Sequence, residues 1–233
     1  TGSTSRPSWA ASDVYRGQTL GWTLLAMPSL REYSPTLEYL PALAEKRGLK
    51  VEIEKEATTP VAQLPGTWDE YMAGLRKKER HELRRKLRRL ERADSPHQYM
   101  CVNAESLADC MEDFFRLLRA SSEEKAGFLT PGRRKFFIDI AQELSKRDQF
   151  KQVDGERVAG CICFDYGESY LLYNSGYDPE YSQLSVGLLN KALSLQTAIE
   201  EGRQSFNFLK GNERYKYNLG GKDEAVYHLT AQR

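Results

Sequence analysis

The chain has 233 residues, 40% hydrophobic and 29% charged, with a formal net charge of +1, a composition that excludes a disordered polymer and suits one large domain, or one domain and part of another. No apolar run approaches the roughly 20 residues of a membrane-spanning helix and no secretory leader pattern is evident, so the expected location is cytoplasmic. Cys101, Cys110, Cys161 and Cys163 form no CxxC pair and only three histidines accompany them, which argues for reduced core cysteines and against a metal centre.

Residues 1–17 read as a loose leader. Gln18–Met27 reads as a strand, Ser34–Arg47 as a helix whose Leu37, Leu40, Leu43 and Ala44 share a face before Gly48, and Leu49–Glu56 as a half-buried strand. The segment Pro60–Gly66 then reads as a linker. Thr67 and Glu70 form a capping box at the start of a long helix reaching Arg92. Its apolar stripe is Trp68, Tyr71, Met72, Leu75, Leu83, Leu87 and Leu90, with Glu79 on the same stripe and in need of a cation such as Arg80. Between Arg76 and Arg92 ten basic residues face three acids. That leaves one strongly basic helix on a mildly acidic remainder, suited either to a solvated face with Lys78–Glu82 and Glu82–Lys86 pairs or to a phosphate-bearing partner.

His97–Val102 reads as a short strand and Ser106–Arg119 as an amphipathic helix. Thr130 and Pro131 open another helix, to about Lys146. Asp148–Val153 and Glu156–Asp165 flank the hairpin turn Asp154-Gly155, and Tyr166-Gly167-Glu168 turns into a third strand, Ser169–Tyr177. A loop leads to the helix Val186–Glu201, then to strands Ser205–Leu209 and Glu224–Thr230 around a helical turn. A helix between two strands predicts a parallel crossover in a mixed sheet, with ligands at the carboxyl ends of its strands.

This element order resembles the GNAT acyltransferase fold, an α+β fold on a mixed sheet. The blocks RASSEEKAGFLTP at Arg119–Pro131, VDGERVAG at Val153–Gly160, YLLYNSGYDPEYSQLSVGLL at Tyr170–Leu189 and FNFLKGNERYKYNLGGKDEAVYHL at Phe206–Leu229 resemble the CelD/BcsL-type acetyltransferases, relatives of the Fem aminoacyl ligases. The resemblance divides the chain into the leader 1–17, a strand–helix–strand remnant of a first GNAT-like half at 18–64, and a GNAT-like acyltransferase domain at 65–233. A chain with such a remnant is a fragment of a tandem protein or a variant with a shortened first half.

The resemblance implies an acyl donor such as acetyl-CoA or another acyl-CoA, no metal, and a sugar- or peptide-linked amine or hydroxyl acceptor in exopolysaccharide or envelope synthesis. It implies donor contacts from Tyr173, Asn174, Ser175, Ser185, Val186, Gly187 and Leu188. Gln183–Leu188 lacks the family's paired glycines, although a helix start there still offers free N–H groups. Acceptor contacts are expected from Lys125, Phe128, Lys210 and Asn212, with Arg80 and Arg84 of the basic helix available for anions. The candidate catalytic residues are Glu213 as base, Lys216 for charge at the reacting carbonyl, Tyr215 as proton donor, and Asn207. At Asn207 and Asn212 related sequences often carry aspartate, and asparagine hydrogen-bonds but is no base. Two other readings fit the same residues. One is an aminoacyl-tRNA-dependent, Fem-like ligase. The other is a non-catalytic module that binds RNA or an anionic polymer.

Overall fold

A computed structural model describes residues 22–93, 107–145 and 157–233. The expected leader, the strand His97–Val102, the strand Asp148–Val153, the Asp154-Gly155 turn and Cys101 lie outside the described residues. The strands β1 (Leu24–Arg31), β2 (Lys50–Gln63), β3 (Ala159–Tyr166), β4 (Ser169–Tyr177), β5 (Ser205–Asn207) and β6 (Lys222–Gln232) follow the order β1-β6-β2-β5-β4-β3 in a mixed sheet. Two compact units divide the described residues, one of 22–57 with 225–233 and one of those between 58 and 224.

In the first unit β1 (Leu24–Arg31) pairs antiparallel with β6 (Lys222–Gln232), from Leu24 opposite Gln232 to Arg31 opposite Val226. The ladder is irregular between Met27 and Leu30, where Ser29 takes a positive φ of 58° and its N–H donates to the Glu56 carboxylate. Helix α1 (Pro35–Glu45) starts on a proline, whose missing N–H costs nothing at a helix start, and Gly48 follows it at a φ of 73°.

In the second unit β2 (Lys50–Gln63) enters from the first and continues through Pro60 to Gln63. The expected linker is therefore strand up to that residue. Proline interrupts a ladder only on its N–H side; the Pro60 carbonyl accepts from Phe208 N, and Val61 and Ala62 are fully buried opposite Asn207 and Phe206 of β5 (Ser205–Asn207). Strands β3 (Ala159–Tyr166) and β4 (Ser169–Tyr177) form the expected antiparallel pair around Gly167. Strand β5 runs parallel to β4, with α7 (Val186–Glu200) as the crossover between them.

The long basic helix is two helices, α2 (Trp68–Gly74) and α3 (Lys77–Glu91), with Leu75 and Arg76 extended at ψ of 146° and 144°. Thr67 and Glu70 make the capping box as read. The break explains Glu79: it lies in the first turn of α3, where the helix dipole favours an acid, and pairs at 3.0 Å with Arg76, not with Arg80. Arg80 instead donates to the Ala73 carbonyl at the end of α2. The apolar face of α2 and Leu83 of α3 join one core with Leu172, Leu189, Leu195, Phe206 and Leu219. A second core gathers Met111, Phe114, Phe115 and Leu118 of α4 (Leu107–Ser121) with Phe137 and Ala141 of α6 (Pro131–Ser145). The short helix α5 (Glu123–Phe128) lies between them in sequence, capped by Ser122.

Candidate active site

Strand β5 has three residues, so on its β4 side the ladder is confined to Ser169–Leu171. Beyond that point β4 continues to Tyr177 while the chain after Asn207 turns away. A ladder also slips at Cys163, which faces Leu172 while Ile162 faces Asn174, so Tyr173 is the extra residue of a bulge. The parting strands open a cleft of about 520 Å³. It is lined by the end of β4, the start of α7, Lys125 of α5, and the segment from Phe208 to helix α8 (Arg214–Asn218).

The loop after β5 is built by three local features. The Asn207 side-chain oxygen accepts from Leu209 N at 2.8 Å and holds Leu209 at a positive φ of 54°. Gly211 has a φ of 112°, and a Cβ there would lie 2.4 Å from a Glu213 carboxylate oxygen. Lys216, only 2% exposed, donates to the Leu209, Lys210 and Gly211 carbonyls at 3.2, 2.8 and 3.3 Å and pairs with Glu213 at 3.0 Å.

At the opposite wall Ser185, at a φ of 59°, caps α7 and its carbonyl accepts from Leu188 N and Leu189 N. The N–H groups of Val186 and Gly187 have no helical acceptor and both residues line the cleft. Gly187 packs so closely on Tyr177 that a Cβ would lie 2.9 Å from its ring. Basic α3 fastens this turn: Lys86 donates to Ser185 Oγ at 2.6 Å and Arg89 to the Gln183 carbonyl at 2.8 Å.

The cleft is electropositive, with Lys125, Lys191, Lys210 and Lys216 against Glu213 alone. Lys125 donates to the Ser175 carbonyl, and burial lowers its pKa against the pull of Glu213 and Glu124. Burial works to raise Glu213, but the hydrogen bond to Lys216, a backbone hydrogen bond and the charges of Lys216 and Lys125 together outweigh it and hold the carboxyl below its usual range. Burial pushes the Tyr215 phenol up, so it stays protonated.

Of the residues singled out in the sequence, Tyr173, Asn174, Ser175, Ser185, Val186, Gly187, Leu188, Lys125, Lys210, Glu213, Tyr215 and Lys216 line this cleft. Five do not. Asn207 is buried and spent on its turn. Asn212 is exposed on the loop. Phe128 packs on the second core beneath Arg133. Arg80 caps α2, and Arg84 is exposed on α3. The face of α3 that does form a concavity carries Arg85, Arg88, Arg89 and Arg92 beside Leu184; Arg85 is bound to Glu82. Sequence reasoning passed over Lys191, a charged residue on the buried face of α7 between Leu189 and Leu195. Its signal was present: a lysine four residues after Gly187 lies on the same helix face.

An open mixed sheet with a crossover helix starting at a splayed parallel pair defines the GNAT architecture. The chain belongs to the acetyltransferase (GNAT) domain family, which matches it over residues 77–217. Among solved structures it is similar to a conserved protein of unknown function from Bacteroides thetaiotaomicron, with a TM-score of 0.63, 11% identity, and 95% of this chain and 73% of that one covered. It is similar also to FemX, with a TM-score of 0.58, 10% identity, and 94% and 74% covered. A third likeness is to the L-PGS of Bacillus licheniformis, with a TM-score of 0.58, 13% identity, and 96% and 72% covered. At such identities these likenesses concern the fold. No curated protein sequence matches the chain. Among the described residues no cluster suited to a metal ion occurs, and no helix is long and apolar enough to cross a membrane.

Proposed function

We propose that the protein transfers an acyl group from a thioester donor such as an acyl-CoA to an amine or hydroxyl on a sugar- or peptide-linked acceptor, in exopolysaccharide or envelope synthesis. The observation that carries this reading is the splayed cleft between β4 and the post-β5 loop, lined at the α7 N-terminus by Val186 and Gly187, whose N–H groups have no helical acceptor. That combination suits a long donor with phosphates at one end and an acyl group at the other. Val186 and Gly187 N–H groups would hold the phosphates, and the bulged stretch Tyr173–Ser175 would flank the arm. A bound acyl-CoA supplies the activated acyl thioester.

The remaining work falls to this chain's own side chains. Glu213, ionised at neutral pH, receives the acceptor's proton at its carboxylate. Lys216 keeps the loop and Glu213 in one geometry and places positive charge beside the reacting carbonyl. Tyr215 keeps its proton available for the leaving group. Asn207 acts by holding the turn.

An aminoacyl-tRNA donor is the second reading. Arg88, Arg89 and Arg92 favour it, because they have no carboxylate partner among the described residues, and the turn Gln183–Leu188 carries a single glycine. Calorimetry with acetyl-CoA, longer acyl-CoAs and free CoA separates the two. Saturable binding of acetyl-CoA and of free CoA is the expected result. No binding at millimolar ligand would remove CoA as donor and leave the tRNA-dependent reading.

A further inference from the structure

Arg85, Arg88, Arg89 and Arg92 recur at helical spacing along one exposed face of α3. With Leu184 they enclose a concavity of about 550 Å³. Like charges so spaced repel. The Glu82 carboxylate offsets Arg85 and Lys86, whereas Arg88, Arg89 and Arg92 meet no carboxylate among the described residues. Arg89 is anchored on the Gln183 carbonyl at 2.8 Å, and Arg88 on the Arg84 carbonyl through its Nε at 3.3 Å. The terminal nitrogens of Arg88 and Arg92 keep donor capacity. This concavity adjoins the wall of the cleft where α7 begins. Leu184 lines the first, Ser185, Val186 and Gly187 line the second, and Lys86 ties α3 to Ser185 Oγ at 2.6 Å. Anion-binding groups therefore stand on both sides of one turn, backbone N–H groups towards the cleft and guanidinium groups towards α3.

We propose that Arg88, Arg89 and Arg92 hold the nucleotide end of the donor through a phosphate monoester on its ribose, while the diphosphate lies against Val186 and Gly187. The preferred donor is then the full acyl-CoA and not its dephospho form, which lacks the ribose phosphate. The assignment rests on the acyltransfer reading given above. A guanidinium presents paired N–H groups that match two phosphate oxygens, and its plane stacks on a nucleobase. Three of them around one concavity suit a dianionic phosphate beside a flat base. The turn Gln183–Leu188 carries one glycine, so its backbone stands further from a diphosphate than a turn with two would. Positive charge across the turn supplies attraction that the backbone there does not.

The test is calorimetry with CoA and dephospho-CoA, which differ only in that phosphate. It is run on the wild type, on Arg88→Gln with Arg92→Gln, and on Lys77→Gln with Lys78→Gln. The lysine pair removes the same charge from exposed positions of α3 outside the concavity. The wild type is expected to bind CoA about tenfold more tightly than dephospho-CoA, as for one charge-assisted hydrogen bond. That preference is expected to vanish in the arginine variant, with dephospho-CoA binding retained, and to persist in the lysine variant. Equal affinities in the wild type, or a preference that persists in the arginine variant, would overturn the assignment while leaving the acyltransfer reading intact. A preference lost equally in both variants overturns it too, since it marks diffuse charge attraction. If the arginine variant does not fold, Arg88→Lys with Arg92→Lys keeps the charge and loses the paired geometry, and an undiminished preference there overturns the assignment. If neither ligand binds at millimolar concentration, the acyl-CoA reading fails and this assignment falls with it; RNA binding that is lost in the arginine variant then gives these residues to the tRNA-dependent reading.

Discussion

Lys216 and Lys191 are two buried lysines in one cleft with opposite circumstances. Lys216 meets three carbonyls and a carboxylate, so its removal strands four acceptors at once. Lys216→Met is expected to cost about 3 kcal/mol, the scale of losing hydrogen bonds to a buried charge, read from the urea midpoint. Lys191 has its pKa lowered from 10.5 to about 8 by burial. The unfolded chain therefore binds the extra proton between those two values and the folded chain does not, so stability rises with pH across that window. Below about 8 the full penalty is present. Lys191→Met is expected to abolish the rise and, near neutral pH, to add up to about 3 kcal/mol from relief of that shift. Urea unfolding of both proteins across the window measures it; a Lys191→Met protein with an unchanged pH slope would refute the burial penalty at Lys191. At this scale the sequence was partly readable. The block Phe206–Lys222 announced itself by composition, but Asn207 and Asn212 of that block differ in fate because one accepts from the turn it makes and the other faces solvent.

Between elements, β4 packs closely on α4 at Gly176. A Cβ on Gly176 would lie 2.5 Å from the backbone nitrogen of Leu118, which no rotamer change relieves. Gly176→Ala is expected to destabilise by about 3 kcal/mol, since overpacking against backbone forces the elements apart, and to weaken donor binding through the displaced end of β4. A urea midpoint within error of the wild type would contradict this. The elements themselves follow their sequence signals where local chemistry decides: the Thr67 box, the Thr130–Pro131 start, and the Gly167 turn. They depart where tertiary packing decides. The apolar stripe runs on through Leu75 to Leu83, and nothing in its period reveals that Leu75 and Arg76 are extended. Likewise Pro60 reads as a breaker, but its carbonyl side is the side that β2 uses.

Across the described residues, the mixed sheet with its parallel crossover was legible from the alternation of strands and helix, and a cleft opens at the strand ends, where the sequence reading expects a ligand. Hidden from the sequence was the cause of the opening. It lies in the shortness of β5 and the one-residue slip at Tyr173, both properties of pairing partners distant in the chain. The same geometry gives the cleft its four lysines, which no single stretch of sequence gathers. The central claim is that a phosphate-bearing acyl donor lies in this cleft against the α7 N-terminus. The most direct measurement is amide NMR of the labelled protein titrated with acetyl-CoA. The account predicts the largest shifts at Val186 and Gly187, followed by Tyr173–Ser175 and Lys125. Shifts confined to Arg85–Ala93, with the amides of Val186 and Gly187 unmoved at saturation, would contradict it.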